Sequence, residues 1–391
     1  LGENILVVFQ STSAAKAADR KQLSADQMIS AGVAAIAQLG IDHVTVQSIC
    51  GKSGHSRPTF YSYFGDLQGL FAEIWIRHGV DWLTRLCSVG GLSPRSDVDL
   101  SLTEIFATAH RNPAIKEVVQ VQLQEFFDLD NQCDSVTMVS VWTAAINLGI
   151  ALGRPVTPEV EAVRVFNEVF ERLTSKQLDE IKAGLPKQKA VEPGEALELD
   201  PPNLEDALLG STLKVVASAG VHNASLVRIA RMCRVSTGAL YPRFEDKLKL
   251  IERAYASAIS EVIKVNFTAF DFDHRVDDQI AEFTVGGLYP SRESWRHFRC
   301  EVYLEGRVDQ GLRTDLAMWV REGNASAGRK FIAGTRLTAE RGELLGAATS
   351  VMGLGFGVLS DLMESIIKQD FRVMLRALNR ELFDYQLGTD S

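Results

Sequence analysis

Two stretches of this chain share one skeleton. Residues 56–70 read SRPTFYSYFGDLQGL and residues 236–250 read STGALYPRFEDKLKL, and both fit S-x-x-x-(F/L)-Y-x-x-F-x-D-x-x-x-L. A pattern that recurs far apart in one chain signals a recurring structural unit, and it constrains the fold more than composition does. Extended backward without a gap, residues 40–70 lie over residues 220–250. Identities fall at Gly40/Gly220, Ile49/Ile229, Ser56/Ser236, Tyr61/Tyr241, Phe64/Phe244, Asp66/Asp246 and Leu70/Leu250. Thr45/Ser225, Val46/Leu226 and Phe60/Leu240 keep their chemical character. The chain reads as an internal duplication, and 391 residues suit two units better than one core. Between the copies, GLPKQKAVEPGEALELDPP (184–202) is proline-rich without apolar periodicity, which marks a linker.

Each copy reads as helical. Apolar residues recur at three- and four-residue spacing in DQMISAGVAAIAQLG and EDALLGSTLKVVASAG, each closed by a glycine suited to a left-handed cap. Thr45 and Ser225 stand where an N-cap hydroxyl starts a second helix, and Ser56 and Ser236 where one starts a third. Gly54 falls at the turn between them in the first copy. Downstream segments such as FAEIWIRHGVDWLTRL, SVWTAAINLGIAL and FRVMLRALNRELF continue as amphipathic or apolar helices without a strand run. The expected fold class is all-α.

Helix, tight turn, helix is the helix-turn-helix arrangement, whose second helix enters the DNA major groove. Those groove-entering helices are predicted at Arg57–Phe64 and Thr237–Phe244. Phe60 with Phe64, and Leu240 with Phe244, sit at i and i+4 and face inward. Arg57 and Arg243 suit guanine or phosphate, and tyrosine hydroxyls can donate to phosphate oxygens.

On these residues each copy resembles the DNA-binding head of TetR-family transcriptional regulators. The first supplies Gly40, Thr45, Ile49, Gly54, Ser56, Thr59, Phe60, Tyr61 and Phe64. The second supplies Gly220, Ser225, Ile229, Ala230, Val235, Ser236, Leu240, Tyr241, Phe244 and Lys247. The resemblance implies a dimer straddling two half-sites on double-stranded DNA, an effector pocket in the larger C-terminal part, and usually repression. Its expected DNA contacts are Thr45, Arg57, Thr59, Tyr61, Ser62 and Tyr63 in the first head. In the second they are Ser225, Arg228, Thr237, Gly238, Tyr241, Arg243 and Lys247. Three positions depart from the family pattern. Leu67 replaces the family lysine in the first copy, Arg234 replaces the turn glycine in the second, and Pro242 can shorten the second recognition helix.

The formal net charge of −9 excludes a general nucleic-acid coat but permits a local basic site. Arg228, Arg231, Arg234, Arg243, Lys247 and Lys249 outnumber Glu245 and Asp246 in the second head, whereas the first has Lys52 and Arg57 against Asp66. The second head is therefore expected to hold phosphate more strongly. Fusing two copies makes pairing intramolecular and frees the heads to diverge, so an intrachain pseudo-dimer on an asymmetric operator is expected. Its pairing surfaces are expected at Val136–Leu152 with Val163–Leu173, against Gly346–Leu359 with Phe371–Leu382. A further homodimer stays open. The competing reading is an interaction protein that keeps the fold with one or both heads silent towards DNA.

The expected divisions are a tail (1–22), a first head (23–66) with its regulatory domain (67–183), the linker (184–202), and a second head (203–246) with its regulatory domain (247–391). Residues 3–11 of the tail resemble a protease-cleavage remnant, and the N-terminus lacks the basic start of a signal peptide. Trp75, Phe106, Phe126, Trp142, Phe283, Trp295 and Trp319 are candidates to line a pocket for a small apolar or amphipathic effector, although such residues equally serve as core. The cysteines are odd in number and form no C-x-x-C pair, which fits a reducing cytoplasm. The uncharged run 344–360 reads as a buried helix rather than a membrane span, its glycines allowing close helix approach. No catalytic motif is present, so no enzyme activity and no cofactor are expected. His297, Cys300 and Glu301 are too sparse a group to assign a metal.

Overall fold

The structure is a computed structural model that describes residues 2–127, 135–187, 203–268 and 275–382, with side chains from Arg20 onward. Of the expected linker, residues 188–202 lie outside the described residues. Among the described residues every regular element is helical. The first half of the chain contains α1 (Gly2–Leu39), α2 (Val46–Ser53), α3 (Arg57–Phe64), α4 (Leu67–Leu86), α5 (Asp97–Ala107), α6 (Pro113–Phe127), α7 (Ser135–Gly153), α8 (Val165–Phe170) and α9 (Ser175–Ala183). The second contains α10 (Leu204–Asn223), α11 (Leu226–Met232), α12 (Lys247–Thr268), α13 (Val276–Gly286), α14 (Glu293–Val308), α15 (Gln310–Phe331), α16 (Ala339–Leu362) and α17 (Phe371–Leu382). The stretch read as a tail is the start of α1.

The two halves share a core. The main contact is α7 against α16, and small residues set its closeness. A Cβ on Gly149 would collide with the Val351 carbonyl, and one on Gly355 with the Ala145 carbonyl, so only glycine permits these backbones to touch. Beside this seam Trp142 from the first half meets Phe356 and Phe371 from the second, with ring centroids 4.9 and 5.2 Å apart. The helices α7 and α16 are long and apolar enough to cross a membrane, but most of their surface is buried inside the bundle. That burial explains their composition.

A second junction joins the heads. Arg307 on α14 donates from Nη1 to the Ala37 carbonyl at 2.6 Å and from Nη2 to the Ile36 carbonyl at 2.9 Å, while its Nε meets Glu104 at 2.5 Å. Glu104 in turn accepts from the Ile41 backbone N–H at 2.6 Å. The converse contact comes from the first half. His110 Nε2 lies 3.2 Å from the Ala217 carbonyl, and Arg111 donates to the Ala219 carbonyl at 3.1 Å. Arg111 also pairs with Glu301 and with Asp42, both at 2.8 Å. Each half thus grips C-terminal carbonyls of the other half's leading head helix; the Ile36 carbonyl also accepts from the Gly40 N–H at 2.8 Å.

Candidate nucleic-acid interface

In the first head local sequence and tertiary burial agree. Gly40 (φ 86°) breaks the chain away from α1 in a conformation that favours glycine. Thr45 then caps α2 reciprocally: its hydroxyl accepts from the Ser48 N–H at 3.1 Å, and the Ser48 hydroxyl accepts from the Thr45 N–H at 3.1 Å. Gly54 (φ 73°) closes α2, returning its N–H to the Cys50 carbonyl. Ser56 caps α3 by accepting from the Thr59 N–H at 3.3 Å, and Pro58 lies in the first turn, where its missing N–H costs nothing. Phe60 is fully buried and anchors α3 to the core.

The opposite face of α3 is free. Arg57, Pro58, Tyr61 and Ser62 are exposed, Tyr61 by 51%. Thr59 and Tyr63 are half-buried; the Thr59 hydroxyl pairs with that of Ser56, and the Tyr63 ring lies 5.8 Å from the Lys21 ammonium. Arg57 donates to the Gln47 side chain at 2.8 Å, which holds the guanidinium beside α2 without neutralising it. This surface offers a cation, hydroxyls and an amphipathic ring on one short helix, a set suited to base edges and phosphates.

The second head preserves the burial pattern and loses the helix. Leu240 and Phe244 are buried as predicted, and Ser225 caps α11 by accepting from the Arg228 N–H at 3.2 Å. The predicted groove-entering helix Thr237–Phe244 does not form. A single 3-10 turn covers Thr237–Ala239, and turns continue to Arg243. Pro242 has no N–H to return to residue 238 and its ring would crowd that carbonyl, while Gly238 is a poor helix former. Arg243 and Phe244 instead both donate to the Leu240 carbonyl, closing a turn. Ser236 makes no side-chain cap bond. Arg234, in the place of Gly54, adopts φ 59°, a left-handed conformation costing a non-glycine residue about 1–2 kcal/mol.

Charge is distributed in the opposite sense. Arg228, Arg231, Arg234 and Arg243 are exposed, and none forms an ion pair among the described residues. Arg228 and Arg243 lie over the Asn223 and Ala239 carbonyls, which orient them and leave their charge intact. Lys247 is turned inward and caps α10 through the Val221 and His222 carbonyls at 2.9 and 3.2 Å, so it is not presented to a ligand as the family pattern implies. Lys249 is held between Glu252 and Asp315. Tyr241 is 67% exposed, and Gly238 stands exposed beside a half-buried Thr237.

The expected effector-pocket residues divide differently. Trp75, Phe106 and Trp142 are fully buried, and Trp75 stacks on Phe106 at 5.5 Å. Trp295 packs against Tyr255 at 5.6 Å, and Phe283 against Phe331 at 5.6 Å; Phe126 and Trp319 are half-buried. Trp142, Trp295 and Phe283 pack on other aromatic residues, and Phe106 also lines a small cleft with His110 and Leu354. An apolar cavity lies elsewhere, between Phe166, Ile280, Met352 and Leu375, with about 20 Å³ of free space, little more than a water molecule needs. His297, Cys300 and Glu301 face separate partners, namely Asp361, the Ala107 carbonyl and Arg111. Among the described residues no His, Cys, Asp and Glu cluster is able to hold a metal.

Sequence reading missed Glu104, Arg307, His110 and Arg111, and gave Glu301 no role at this junction. Their partners lie far away in the chain, and no local spacing announces them. The environment of His110 is the most constrained. Its Nδ1 faces the Ala107 carbonyl at 3.0 Å and its Nε2 the Ala217 carbonyl, an arrangement that favours the charged ring. Burial and the His297 ring stacked on it at 3.9 Å prevail and hold its pKa down at about 4. Burial likewise pushes Glu301 up to about 8 against the pull of Arg111.

Residues 28–74 match the family model described as bacterial regulatory proteins, tetR family. The matched stretch spans the end of α1, all of α2 and α3 and the start of α4, so the first head is similar to the unit that this model describes. The matched stretch does not extend to the second head. No curated protein matches the chain. Among solved structures it is similar to a protein of Pseudomonas aeruginosa PAO1 described as a transcriptional regulator, at 16% identity and TM-score 0.34, over 47% of this chain and 94% of that one. It is also similar to a TetR-family protein of Vibrio parahaemolyticus, at 18% identity and TM-score 0.29, over 42% of this chain and 97% of that one. A third similarity is to a TetR-family regulator of Shewanella sp. PV-4, at 21% identity and TM-score 0.23, over 32% and 72%.

Proposed function

We propose that the protein is a DNA-binding transcriptional regulator, a tandem duplicate acting as a single-chain pseudo-dimer on an asymmetric operator. The observation that carries the reading is α3: a capped helix anchored by Phe60, with Arg57, Tyr61 and Ser62 exposed, inside the stretch that matches a tetR-type head. In this reading the first head reads base edges. The second, with four unpaired arginines around a broken helix, holds phosphate and contributes affinity with little sequence preference. The duplication draws support from the repeated skeleton and from the reciprocal grips, since Ala37 and Ala217 occupy equivalent places in the two copies. Occupying a promoter in this way would repress it. An apolar effector would act by opening the aromatic cores around Trp75 or Trp295.

Selection of bound DNA from a random pool tests the reading. The wild-type protein should enrich one well-defined half-site flanked by a degenerate one. Arg57→Ala with Tyr61→Ala should weaken that site by roughly 100-fold and erase its consensus, at about 1–3 kcal/mol for each lost base contact. Replacing Arg228, Arg231 and Arg234 by alanine should weaken all sequences alike and flatten the salt dependence by about 0.9 per lost phosphate contact. A perfect palindrome would sink the asymmetric operator. No enrichment in any pool would favour the second reading, an interaction protein silent towards DNA, which the collapsed second recognition segment supports.

A further inference from the structure

We infer that Arg307 and the His110–Arg111 pair are positioning residues that set the pose of the heads crosswise, each half fixing the head of the other. The inference rests on the DNA-binding reading for its purpose, but its geometry is independent of it. Arg307 belongs to the second half, yet two of its nitrogens terminate α1 of the first head. Its third meets Glu104, whose other oxygen accepts the Ile41 N–H at the α1 exit. One guanidinium–carboxylate unit therefore fixes both where α1 ends and how the chain turns towards α2. Lysine could not reproduce it, because a single ammonium cannot span two carbonyls and a carboxylate with a planar fork.

The opposite grip uses different chemistry for the same task. His110 and Arg111 reach the Ala217 and Ala219 carbonyls near the end of α10, and Arg111 ties Glu301 and Asp42 to the same point. The junction is tight. A Cβ on Gly220 (φ 78°) would collide with the Asp42 carboxylate, and the His43 and His222 rings stand 4.1 Å apart. Glu104 and Glu301 are buried, so a shift of either away from its arginine leaves a largely buried guanidinium without that acceptor. The heads are thereby held in one mutual pose through contacts outside both recognition segments. A pseudo-dimer so held reads one half-site spacing.

The test measures the pose directly. Spin labels are attached through a genetically encoded ketone amino acid at Gly51 on α2 and Met232 on α11; no protein atom lies near a Cβ at Gly51, and Met232 is 51% exposed. Pulsed dipolar spectroscopy without DNA should give one narrow distance distribution for the otherwise unaltered chain. It should broaden at least about two-fold in Arg307→Met with Glu104→Gln, which removes the grip without stranding a charge. Should that variant fail to fold, Arg307→Lys carries the same test. A folded variant with an unchanged distribution overturns the inference.

A second arm uses the DNA site selected by the wild-type protein, with 1 or 2 base pairs inserted between its halves, and competition binding. The wild-type chain should lose roughly 30-fold or more in affinity, as a fixed half-site spacing demands, and the variant about 3-fold or less. A change of distance distribution without DNA binding by either protein would keep the positioning role and remove the DNA reading. Normal DNA binding with equal intolerance of spacing in both would do the reverse.

Discussion

The two heads bury equivalent side chains and differ in what they do with the chain between them. Ile49 and Ile229, Phe60 and Leu240, and Leu70 and Leu250 are all buried. Yet the segment after the turn is a capped two-turn helix in one head and a 3-10 turn in the other. Burial of the same anchors therefore holds the segment in place without dictating its backbone. Local chemistry decides that: Ser56, Pro58 and Gly54 each favour α3, whereas Pro242, Gly238 and Arg234 each oppose its counterpart.

The largest expected separation between the heads comes with acid. The grip on α1 joins a guanidinium, charged at every accessible pH, to Glu104, whose pKa burial raises so that acid favours its folded form, whereas the grip on α10 includes His110. The folded pKa of His110, about 4, lies below the ordinary 6.5, so the neutral ring is the one the fold favours. Its contribution is complete above pH 6.5 and is lost as pH falls towards 4, by up to about 3 kcal/mol. Glu301 works in the opposite direction. With its pKa raised from 4.5 to about 8, it adds stability as pH falls from 8 towards 4.5. Urea midpoints between pH 7.5 and 4.5 should therefore rise on acidification in His110→Gln, relative to wild type, with the gap widening below pH 6.5. In the wild type the two titrations oppose each other at the α10 grip, so the His110 contribution is read as the difference between the two proteins. Parallel curves for the two proteins would mean that His110 carries no linked proton.

Exchanging the turn residues sharpens the contrast at lower cost. A Cβ added at Gly54 meets no atom within 4 Å, so the main penalty of Gly54→Arg is the left-handed backbone, about 1–2 kcal/mol. Arg234→Gly relieves the same strain but loosens the unfolded chain, for a net gain of up to about 1 kcal/mol. Denaturant midpoints measured on both single variants should move in opposite directions. A loss of stability in Arg234→Gly would show that the arginine side chain makes a contact worth more than the strain of its backbone.

What could be read from the sequence follows the range of the forces involved. The caps at Thr45, Ser56 and Ser225 and the left-handed turn at Gly54 are decided within four residues, and spacing alone reveals them. The glycines of α16 were legible as sites of close approach, though not which helix approaches. The helix predicted after Ser236 does not form, for a reason also present in the sequence: the inward positions favour a helix, but Pro242 prevents it rather than shortening it. Aromatic residues mark a limit of pattern reading, because stacking on a neighbour and lining a cavity require the same side chains, and Phe106 does both. The crosswise grips were out of reach. They join Arg307 to Ala37 and His110 to Ala217, partners that meet only once the two halves pack together.

The finest test of the comparison lies in the two equivalent serines. Ser56 is exposed, and its hydroxyl satisfies the Thr59 N–H, one of the donors that a helix start leaves without an internal partner. Ser236 is equally exposed, but it makes no cap bond because no α-helix begins there. Ser56→Ala should cost about 1 kcal/mol, the usual value for a lost N-cap, whereas Ser236→Ala should change stability by less than about 0.5 kcal/mol. Chemical denaturation of the full chain followed by local probes on each head resolves a difference of this size. Equal costs would mean that Ser236 caps a helix in solution, and the broken second recognition segment would then be one member of an equilibrium. In that case DNA should shift it, and adding Pro242→Ala should raise affinity through the second head. A cost confined to Ser56 would instead establish that one skeleton supports two different recognition surfaces, with the caps and breakers between the buried anchors selecting which one forms.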